Sequence, residues 1–333
     1  MSLEAVIDLF LAYQRTAAVK TGVELDVFTA IGEGVETASQ LAVRCQADER
    51  GVRILCDYLT VVGLLRKQGA RYALAADAAA FLDRRSPAYV GSVVISAAGE
   101  TNLQAFGRLT AAVRRGGTAL DADGTLAPEH PAWVQFARAM EPGGAFMGPL
   151  LARLLDVKAS GHMKVLDIAA GHGLYGIAVA TQNPAAEVVA LDWANVLAVA
   201  REHAQAAGVA GRYRLLPGSA LTVDFGTGYD LVLLVHFLQD LDLAACERLL
   251  PKVHTALAPG GRAVTLGFMP NDDRVSPPAH AAFALAMLAT TPGGDAYTVG
   301  ELDRMFRDAG FARTELHDLT PTTERVLIAH RSP

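Results

Sequence analysis

The sequence predicts an α/β fold, with a mostly parallel, Rossmann-like sheet of seven strands preceded by an α-helical domain of the winged-helix type. From residue 163 onward, apolar strand-like runs alternate with helical segments, an order that specifies a parallel sheet covered by helices on both faces. The first 98 residues instead show several helices and one short hairpin. We therefore expect two domains, residues 1–98 and 99–333, with connecting helices over 99–160 and the Rossmann-like core over 161–333.

Composition and charge exclude several classes of protein. Apolar residues make up 51% and charged residues 19% of the 333 residues, which is typical of globular chains. The net charge of −6 argues against a nucleic-acid partner, because phosphate binding needs a basic face. The three cysteines are scattered and form no C-x-x-C pair, so we expect neither a metal site nor a disulfide framework. No basic leader and no run of about 18 apolar residues occur, which predicts a cytoplasmic protein with no membrane partner.

Local signals define the elements of the N-terminal domain. Helical apolar spacing covers residues 3–18 and 22–31. Thr37 and Gln40 form a capping box, and Asp48 can cap a helix that runs through Val62. Residues 64–74 form the predicted hairpin, which turns at Gln68-Gly69.

A winged helix often binds DNA, so charge must decide between that role and dimerisation. Residues 1–90 hold ten basic and eleven acidic side chains. Arg50 and Arg53 of the would-be recognition helix are mixed with Glu49 and Asp57. The balance favours a dimerisation domain over a DNA-binding regulator.

The second domain begins with helices and continues with strands. Prolines and glycines are expected to punctuate the connecting helices at Pro128, Pro131, Pro142, Gly143, Gly144 and Pro149. The predicted strands are 163–168, 187–191, 212–217, 230–235, 262–268, 312–318 and 325–330.

A glycine-rich turn after the first strand predicts a nucleotide site. Gly171 and Gly173 let the backbone approach a ligand, and Asp192, after the second strand, can accept both hydroxyls of a ribose. With Gly176 the turn matches the dinucleotide fingerprint, which keeps an NAD-linked oxidoreductase among the alternatives. Asp167 precedes the glycines, however, and a carboxylate there repels a pyrophosphate and suits a cationic amino-acid moiety.

Several motifs carry a family resemblance. The run Asp167-x-Ala-x-Gly-x-Gly, Asp192, the apolar strand over 231–235 and the Leu-Ala-Pro-Gly-Gly turn at 257–261 resemble class I S-adenosylmethionine-dependent methyltransferases. With the winged-helix N-terminus, the whole chain resembles the small-molecule O-methyltransferases of plant phenolic and bacterial polyketide metabolism. The resemblance implies S-adenosyl-L-methionine as cofactor, S-adenosyl-L-homocysteine as product, and a homodimer whose N-terminal helices interlock.

The resemblance also implies which residues surround the cofactor. Trp193 would lie along the adenine, and Ser219 would bind the adenine amine more weakly than the family's usual acid. The full implied set is Asp167, Gly171, Gly173, Asp192, Trp193, Ser219, Ala220, His236 and Met147. Other interpretations remain open: Asp167 as a turn cap, Trp193 as a core residue, and His172 as a solvated loop residue.

The family's acid–base pair is missing. Members of the family carry a histidine just after the fourth strand and a glutamate at the end of the fifth, where this chain has Gln239 and Gly267. A glutamine cannot take a proton near neutral pH. His236 lies three residues before Gln239, and the two would share a face in a helical turn. His236 is therefore either a substitute base or an inert neutral histidine beneath the adenine.

The sequence defines the pocket for the methyl acceptor less well than it defines the cofactor site. In this family the pocket walls would come from Phe136, Met140, Phe146, His280, Phe283 and Met287. The phenylalanines and methionines of this set could equally belong to the core. A capping or surface position is the alternative for His280, and Asp295 is expected to be a loop acid.

The leading hypothesis is methyl transfer from S-adenosylmethionine to a small aromatic or polyketide-like acceptor, at oxygen. The replaced base pair keeps a second hypothesis open. In it the same cofactor serves a non-methylating reaction, such as decarboxylation, hydroxylation or a rearrangement.

Overall fold

The computed structural model describes residues 2–120 and 128–333. The chain divides into two compact units, Met1–Asn102 and Leu103–Pro333, so the boundary lies four residues beyond the predicted one. None of the described helices is both long and apolar enough to cross a membrane.

The first unit is helical with one hairpin. Thr37 and Gln40 form the predicted capping box, and the Asp48 side chain accepts a hydrogen bond from the backbone N–H of Gly51. The unit contains α1 (Leu3–Phe10), α2 (Ala12–Glu24), α3 (Val27–Gly32), α4 (Ala38–Arg44), α5 (Glu49–Val61), β1 (Leu65–Gln68), β2 (Arg71–Leu74), α6 (Ala76–Phe81) and α7 (Ser92–Ala97).

Two boundaries in this unit differ from the prediction. The first helical segment breaks at Leu11 and then continues to Glu24, so that the next helix starts only at Val27. The hairpin turns at Gly69-Ala70, one residue later than predicted, because Gln68 pairs with Arg71. In both places apolar spacing located the element but did not fix its end.

The remaining helices and strands build the second unit, apart from the first residues of α8, which spans the boundary. In chain order they are α8 (Glu100–Gly107), α9 (Leu109–Arg115), α10 (Pro131–Leu154), β3 (Met163–Ile168), α11 (Leu174–Gln182), β4 (Ala186–Asp192), α12 (Ala194–Ala206), β5 (Tyr213–Pro217), β6 (Tyr229–Val235), α13 (Leu243–Ala256), β7 (Leu257–Gly267), α14 (Pro278–Thr290), α15 (Val299–Asp308), β8 (Arg313–Asp318) and β9 (Arg325–His330).

The predicted interruptions of the connecting segment are wrong for α10, a single helix of 24 residues. Its start agrees with the sequence, since Pro131 occupies the first turn and needs no N–H partner. Pro142 and Pro149 lie inside the helix without ending it. The packing of the helix glycines against the loop after β3, described below, outweighs the local tendency of proline and glycine to end a helix.

The sheet has the predicted alternating architecture. Its strand order is β5-β4-β3-β6-β7-β9-β8. All strands run in one direction except β9, which pairs antiparallel with both β7 and the edge strand β8. Helices cover both faces and bury two separate apolar clusters against the strands. Strand order reverses between β3 and β6, and in such sheets ligands bind beyond the carboxyl ends of the strands at that point. The fold therefore places the candidate site beside the ends of β3, β4 and β6.

Candidate active site

The glycine loop leaves β3 in left-handed backbone. Ala169, Gly171 and Gly173 have φ values of 55°, 56° and 77°. A Cβ atom at Gly173 would approach the Tyr213 hydroxyl oxygen to 2.6 Å, so only glycine fits there. A Cβ at Gly171 would meet no atom closer than 4.0 Å, which means that the backbone there faces open space. The loop thus offers an uncovered backbone surface just before α11.

Asp192 closes this loop from the end of β4. One of its carboxylate oxygens accepts a hydrogen bond from the Gly171 N–H at 2.8 Å, and the other accepts one from the Trp193 N–H at 2.7 Å. Burial raises the pKa of Asp192 to about 6, although both backbone hydrogen bonds oppose that shift. A carboxylate has about four acceptor positions, so two remain for hydroxyl groups of a ligand.

Asp167 lies deeper, beneath the first turn of α11. It is buried, and its Oδ2 accepts a hydrogen bond from the Gly176 N–H at 3.1 Å. Burial raises its pKa to about 7. Asp167 therefore caps the turn through Oδ2. A contact between Asp167 and the cationic end of a ligand stays a prediction.

The expectation for His172 is wrong, because the side chain is buried. Its Nδ1 accepts a hydrogen bond from the Leu174 N–H at 3.2 Å, and its backbone oxygen contacts Nδ1 of His203 at 2.8 Å. Burial lowers the pKa of His172 to about 3, so the ring is neutral. A Cβ at Gly144 of α10 would fall inside the His172 ring, which shows how closely the helix packs on the loop.

The residues predicted to border an adenine lie at the start of α12 and at the start of the loop after β5. Trp193 is half-buried and packs against the buried cluster of Ala137, Val196 and Val199, so it has both a core face and an exposed face. The Ser219 hydroxyl accepts a hydrogen bond from the Leu221 N–H at 3.3 Å, and Ala220 is buried in the core. Lys252 of α13 holds this loop, since its Nζ donates to the carbonyls of Ala220, Leu221 and Val223 at 3.0–3.2 Å.

His236 follows β6 in left-handed backbone, with φ of 51°. The predicted helical turn is absent at this residue, and a short 3-10 turn covers Leu238–Asp240 instead. His236 and Gln239 nevertheless border the same space: Nδ1 of His236 and Oε1 of Gln239 lie 3.5 Å and 3.1 Å from the place a Cβ at Gly267 would occupy. Nε2 of His236 lies 3.0 Å from Oε2 of Glu324.

The predicted acceptor residues differ in burial. On α10, Phe136 and Phe146 are exposed, whereas Met140 and Met147 are half-buried. On α14, Met287 is buried, and the Phe283 ring stacks on Phe268 with ring centroids 4.6 Å apart.

The structure corrects the prediction for His280. Its side chain does not lie on the surface, and neither of its ring nitrogens is free to bind a substrate. It is 1% exposed, its Nδ1 accepts from the Met269 N–H at 3.0 Å, and its Nε2 lies 2.6 Å from the Thr323 carbonyl oxygen. Asp295 pairs with Arg274 at 3.1 Å, as expected of a loop acid.

Two residues at the site were missed by reasoning from the sequence, Glu324 and Phe268. Phe268 directly follows Gly267 at the exit of β7, and this position could have identified it. Glu324 reaches His236 through the pairing of β7 with β9, a register that apolar runs leave undefined.

Comparisons with known proteins cover both units. A profile of the O-methyltransferase domain matches residues 128–312, and one of the O-methyltransferase dimerisation domain matches residues 7–84. The 3-hydroxy-5-methyl-1-naphthoate 3-O-methyltransferase of Streptomyces sahachiroi is 30% identical over 91% of this chain and 88% of its own. The tetracenomycin polyketide synthesis 8-O-methyltransferase of Streptomyces glaucescens is 29% identical over 92% and 90%. The solved structure of a candidate O-methyltransferase from Nostoc punctiforme has a TM-score of 0.95 at 50% identity, covering 99% of this chain and 100% of its own.

Proposed function

The chain belongs to the O-methyltransferase family, and from that premise we propose that it methylates a hydroxyl group of a small aromatic or polyketide-like acceptor. The observation that carries the proposal is the Asp192 carboxylate, which closes an open glycine loop at the carboxyl edge of the sheet. Relatives named for a naphthoate and for a polyketide acceptor support the acceptor class.

The cofactor of this family, S-adenosylmethionine, fits the residues present. The uncovered backbone at Gly171 is a cradle that any Cβ would fill, and Asp192 keeps acceptor positions for two ribose hydroxyls. Gly171 and Gly173 would approach the methionine end, with Asp167 beneath them and Met147 on α10 at the cofactor. Trp193, Ser219 and Ala220 would border the adenine.

The cofactor and the protein chain would supply different parts of the reaction. When bound, S-adenosylmethionine supplies a methyl group whose carbon–sulfur bond breaks toward sulfur as the acceptor oxygen forms its bond to carbon. The chain has to hold the acceptor in line with that methyl group, and such alignment alone contributes a large part of the rate. It also has to remove the hydroxyl proton, since a phenol has a pKa of about 10.

His236 is the residue we assign to the proton. Burial lowers its pKa, but the charges of Glu324 and Asp240 outweigh burial, so the pKa is raised above its ordinary value. A stronger base near neutral pH is better matched to a phenolic proton. Gln239, which shares the space above Gly267, can donate a hydrogen bond to the acceptor oxygen and orient it.

Incubation with methyl-labelled S-adenosylmethionine and a panel of phenols and naphthols tests the proposal. We expect a labelled product that is heavier than its acceptor by one methylene, and no product when acceptor is omitted. An acceptor that changes mass without taking up label would contradict methyl transfer and support the non-methylating hypothesis. Binding of NADH without binding of S-adenosylhomocysteine would contradict the cofactor.

A further inference from the structure

The carboxylate beside His236 comes from a distant part of the chain. Glu324 lies in the turn between β8 and β9, and its Oε2 is 3.0 Å from Nε2 of His236. Both side chains are largely buried, with exposed fractions of 24% for His236 and 11% for Glu324. Apart from this contact, Oε2 of Glu324 has no hydrogen-bond partner among the described residues. The contact with His236 therefore offsets the free-energy cost of burying the Glu324 carboxylate.

The strand register explains how Glu324 reaches the site. Gly267, at the end of β7, pairs with Arg325 at the start of β9. Glu324 thus stands one residue before the position opposite Gly267. From there its carboxylate reaches across the end of β7 to His236 at the end of β6.

The turn that carries Glu324 is held on both sides. Nε2 of His280 contacts the Thr323 carbonyl oxygen at 2.6 Å, and Nη1 of Arg325 donates to the Met269 carbonyl at 2.9 Å. The Leu319 N–H also donates to the Glu324 carbonyl at 2.9 Å. A backbone fixed in this way favours one position of the carboxylate.

Other titratable groups also face the pair. Asp240, from the 3-10 turn, acts electrostatically on His236, and His236 acts on His172 of the glycine loop. Glu324 acts on the buried phenol of Tyr175 in α11. Of these, Glu324 is the one in direct contact with the imidazole. The ring is oriented by that contact, with Nε2 toward Glu324 and Nδ1 toward the space above Gly267.

We propose that Glu324 is a positioning residue for His236, accepting a hydrogen bond from Nε2–H and aiming Nδ1 at the acceptor hydroxyl. Nδ1 takes the proton that the acceptor loses, and the Glu324 side chain stabilises the resulting imidazolium through its contact with Nε2. The inference rests on the proposed function, and it replaces the missing acid–base pair with one drawn from two other positions of the sheet edge.

The first test needs no activity. The imidazole of His236 is titrated by NMR in the full-length wild-type chain, in Glu324→Gln and in Glu247→Gln, an exposed glutamate of α13. We expect the pKa of His236 to fall in Glu324→Gln and to stay unchanged in Glu247→Gln. An unchanged pKa in Glu324→Gln would overturn the proposal.

The second test is kinetic. In Glu324→Gln we expect turnover to fall about 10- to 100-fold, the loss typical when a carboxylate that orients a histidine is removed. The acid limb of the pH profile should move to lower pH, and affinity for S-adenosylhomocysteine should stay within a few-fold. Glu324→Asp should recover part of the turnover. A variant that folds, binds S-adenosylhomocysteine and turns over at the wild-type rate would refute the assignment.

Failure of the proposed function is distinguishable from failure of this inference. If the wild-type chain binds S-adenosylhomocysteine but methylates no acceptor, the proposed function is wrong. The NMR titration then still decides whether Glu324 holds His236.

Discussion

Burial raises the pKa values of two carboxyl groups at the site, that of Asp192 to about 6 and that of Asp167 to about 7. Both therefore change charge within the range in which enzymes usually operate. Neighbouring carboxylates raise the pKa of His236 above its ordinary value. Cofactor binding and turnover should consequently respond to pH through different residues.

Cofactor binding should depend on pH through the ionisation of the Asp192 carboxyl group. Its carboxylate accepts ribose hydroxyls best when ionised, so affinity for S-adenosylhomocysteine should fall as pH drops through about 6. Asp192→Ala should weaken binding by about 1.5–3 kcal/mol, as for loss of a charged hydrogen-bond partner. Calorimetry over a pH series measures both effects, with Glu187→Ala on the same strand as control, because Glu187 is exposed. Equal affinities for the two variants would contradict the assignment.

The pH dependence of turnover should be that of His236. Since its pKa is raised, activity should fall as pH drops through a value above 6.5, where the imidazole becomes charged. His236→Asn should lower turnover by about 10²- to 10⁴-fold and leave cofactor affinity within a few-fold. Gln239→His in that background should restore part of the activity, because it returns an imidazole to the space above Gly267.

The opposite pattern is the signature of an inert histidine. If His236→Asn raised the dissociation constant of the cofactor and spared turnover at saturation, His236 would only pack beneath the adenine. A turnover that is flat from about pH 5 to 8 in the wild type would exclude base catalysis by histidine.

Among the elements, α10 shows how tertiary contact overrides local preference. Gly144 lets the helix approach the His172 ring, and Gly148 brings it against the Leu174 carbonyl, where a Cβ would lie at 2.8 Å. Gly143, by contrast, meets only the end of the Met147 side chain, at 3.5 Å. The same residue type is thus required at two positions of the helix and incidental at a third.

This contrast predicts opposite effects of the same substitution at neighbouring positions. Gly144→Ala should displace the His172 ring and the glycine loop, with a loss of about 1–3 kcal/mol in unfolding free energy. Gly143→Ala should be neutral or stabilising by up to about 1 kcal/mol, because alanine favours the helix. Denaturant unfolding measures both, and only Gly144→Ala should weaken S-adenosylhomocysteine binding. A Gly144→Ala variant as stable as Gly143→Ala would show that the helix is not fixed by this contact.

The strands were predictable because parallel strands buried on both faces read as continuous apolar runs. All seven predicted strands of the sheet are present, and six of them have bounds within one residue of the prediction. The exception is β7, which starts at Leu257 and so includes the residues predicted as a turn. The glycine loop and Asp192 were likewise predicted, since both depend on one local strand-turn-helix unit. His172 was mistaken because its burial depends on α10, which precedes it by some thirty residues. Glu324 was missed for the same reason, as its contact with His236 arises only from the pairing of β7 with β9.

For the whole molecule, the apolar surface of α1 requires a partner. The helix has no buried residue, and Leu3, Ile7 and Phe10 are 77%, 45% and 71% exposed. Patches of this kind in soluble proteins mark interaction surfaces. The dimerisation profile begins at residue 7, within this helix, and the N-terminal unit lacks the basic excess that DNA binding would need. A second copy of the chain is the occupant we expect.

Light scattering should therefore report a dimer, and removal of residues 1–20 should cause aggregation or loss of activity, because apolar surface on the partner is uncovered.

Phe10→Ser tests the interface without shortening the chain. We expect a higher dimer dissociation constant with no loss of monomer stability, since Phe10 is exposed within one chain. Val113→Ser on α9 is the matched control, an exposed apolar residue outside the dimerisation profile, and it should leave the dimer unchanged. Activity that falls on dilution of Phe10→Ser, and returns at high concentration, would show that the second copy completes the enzyme. A truncated chain that is stable, monomeric and fully active would refute the interlocked dimer.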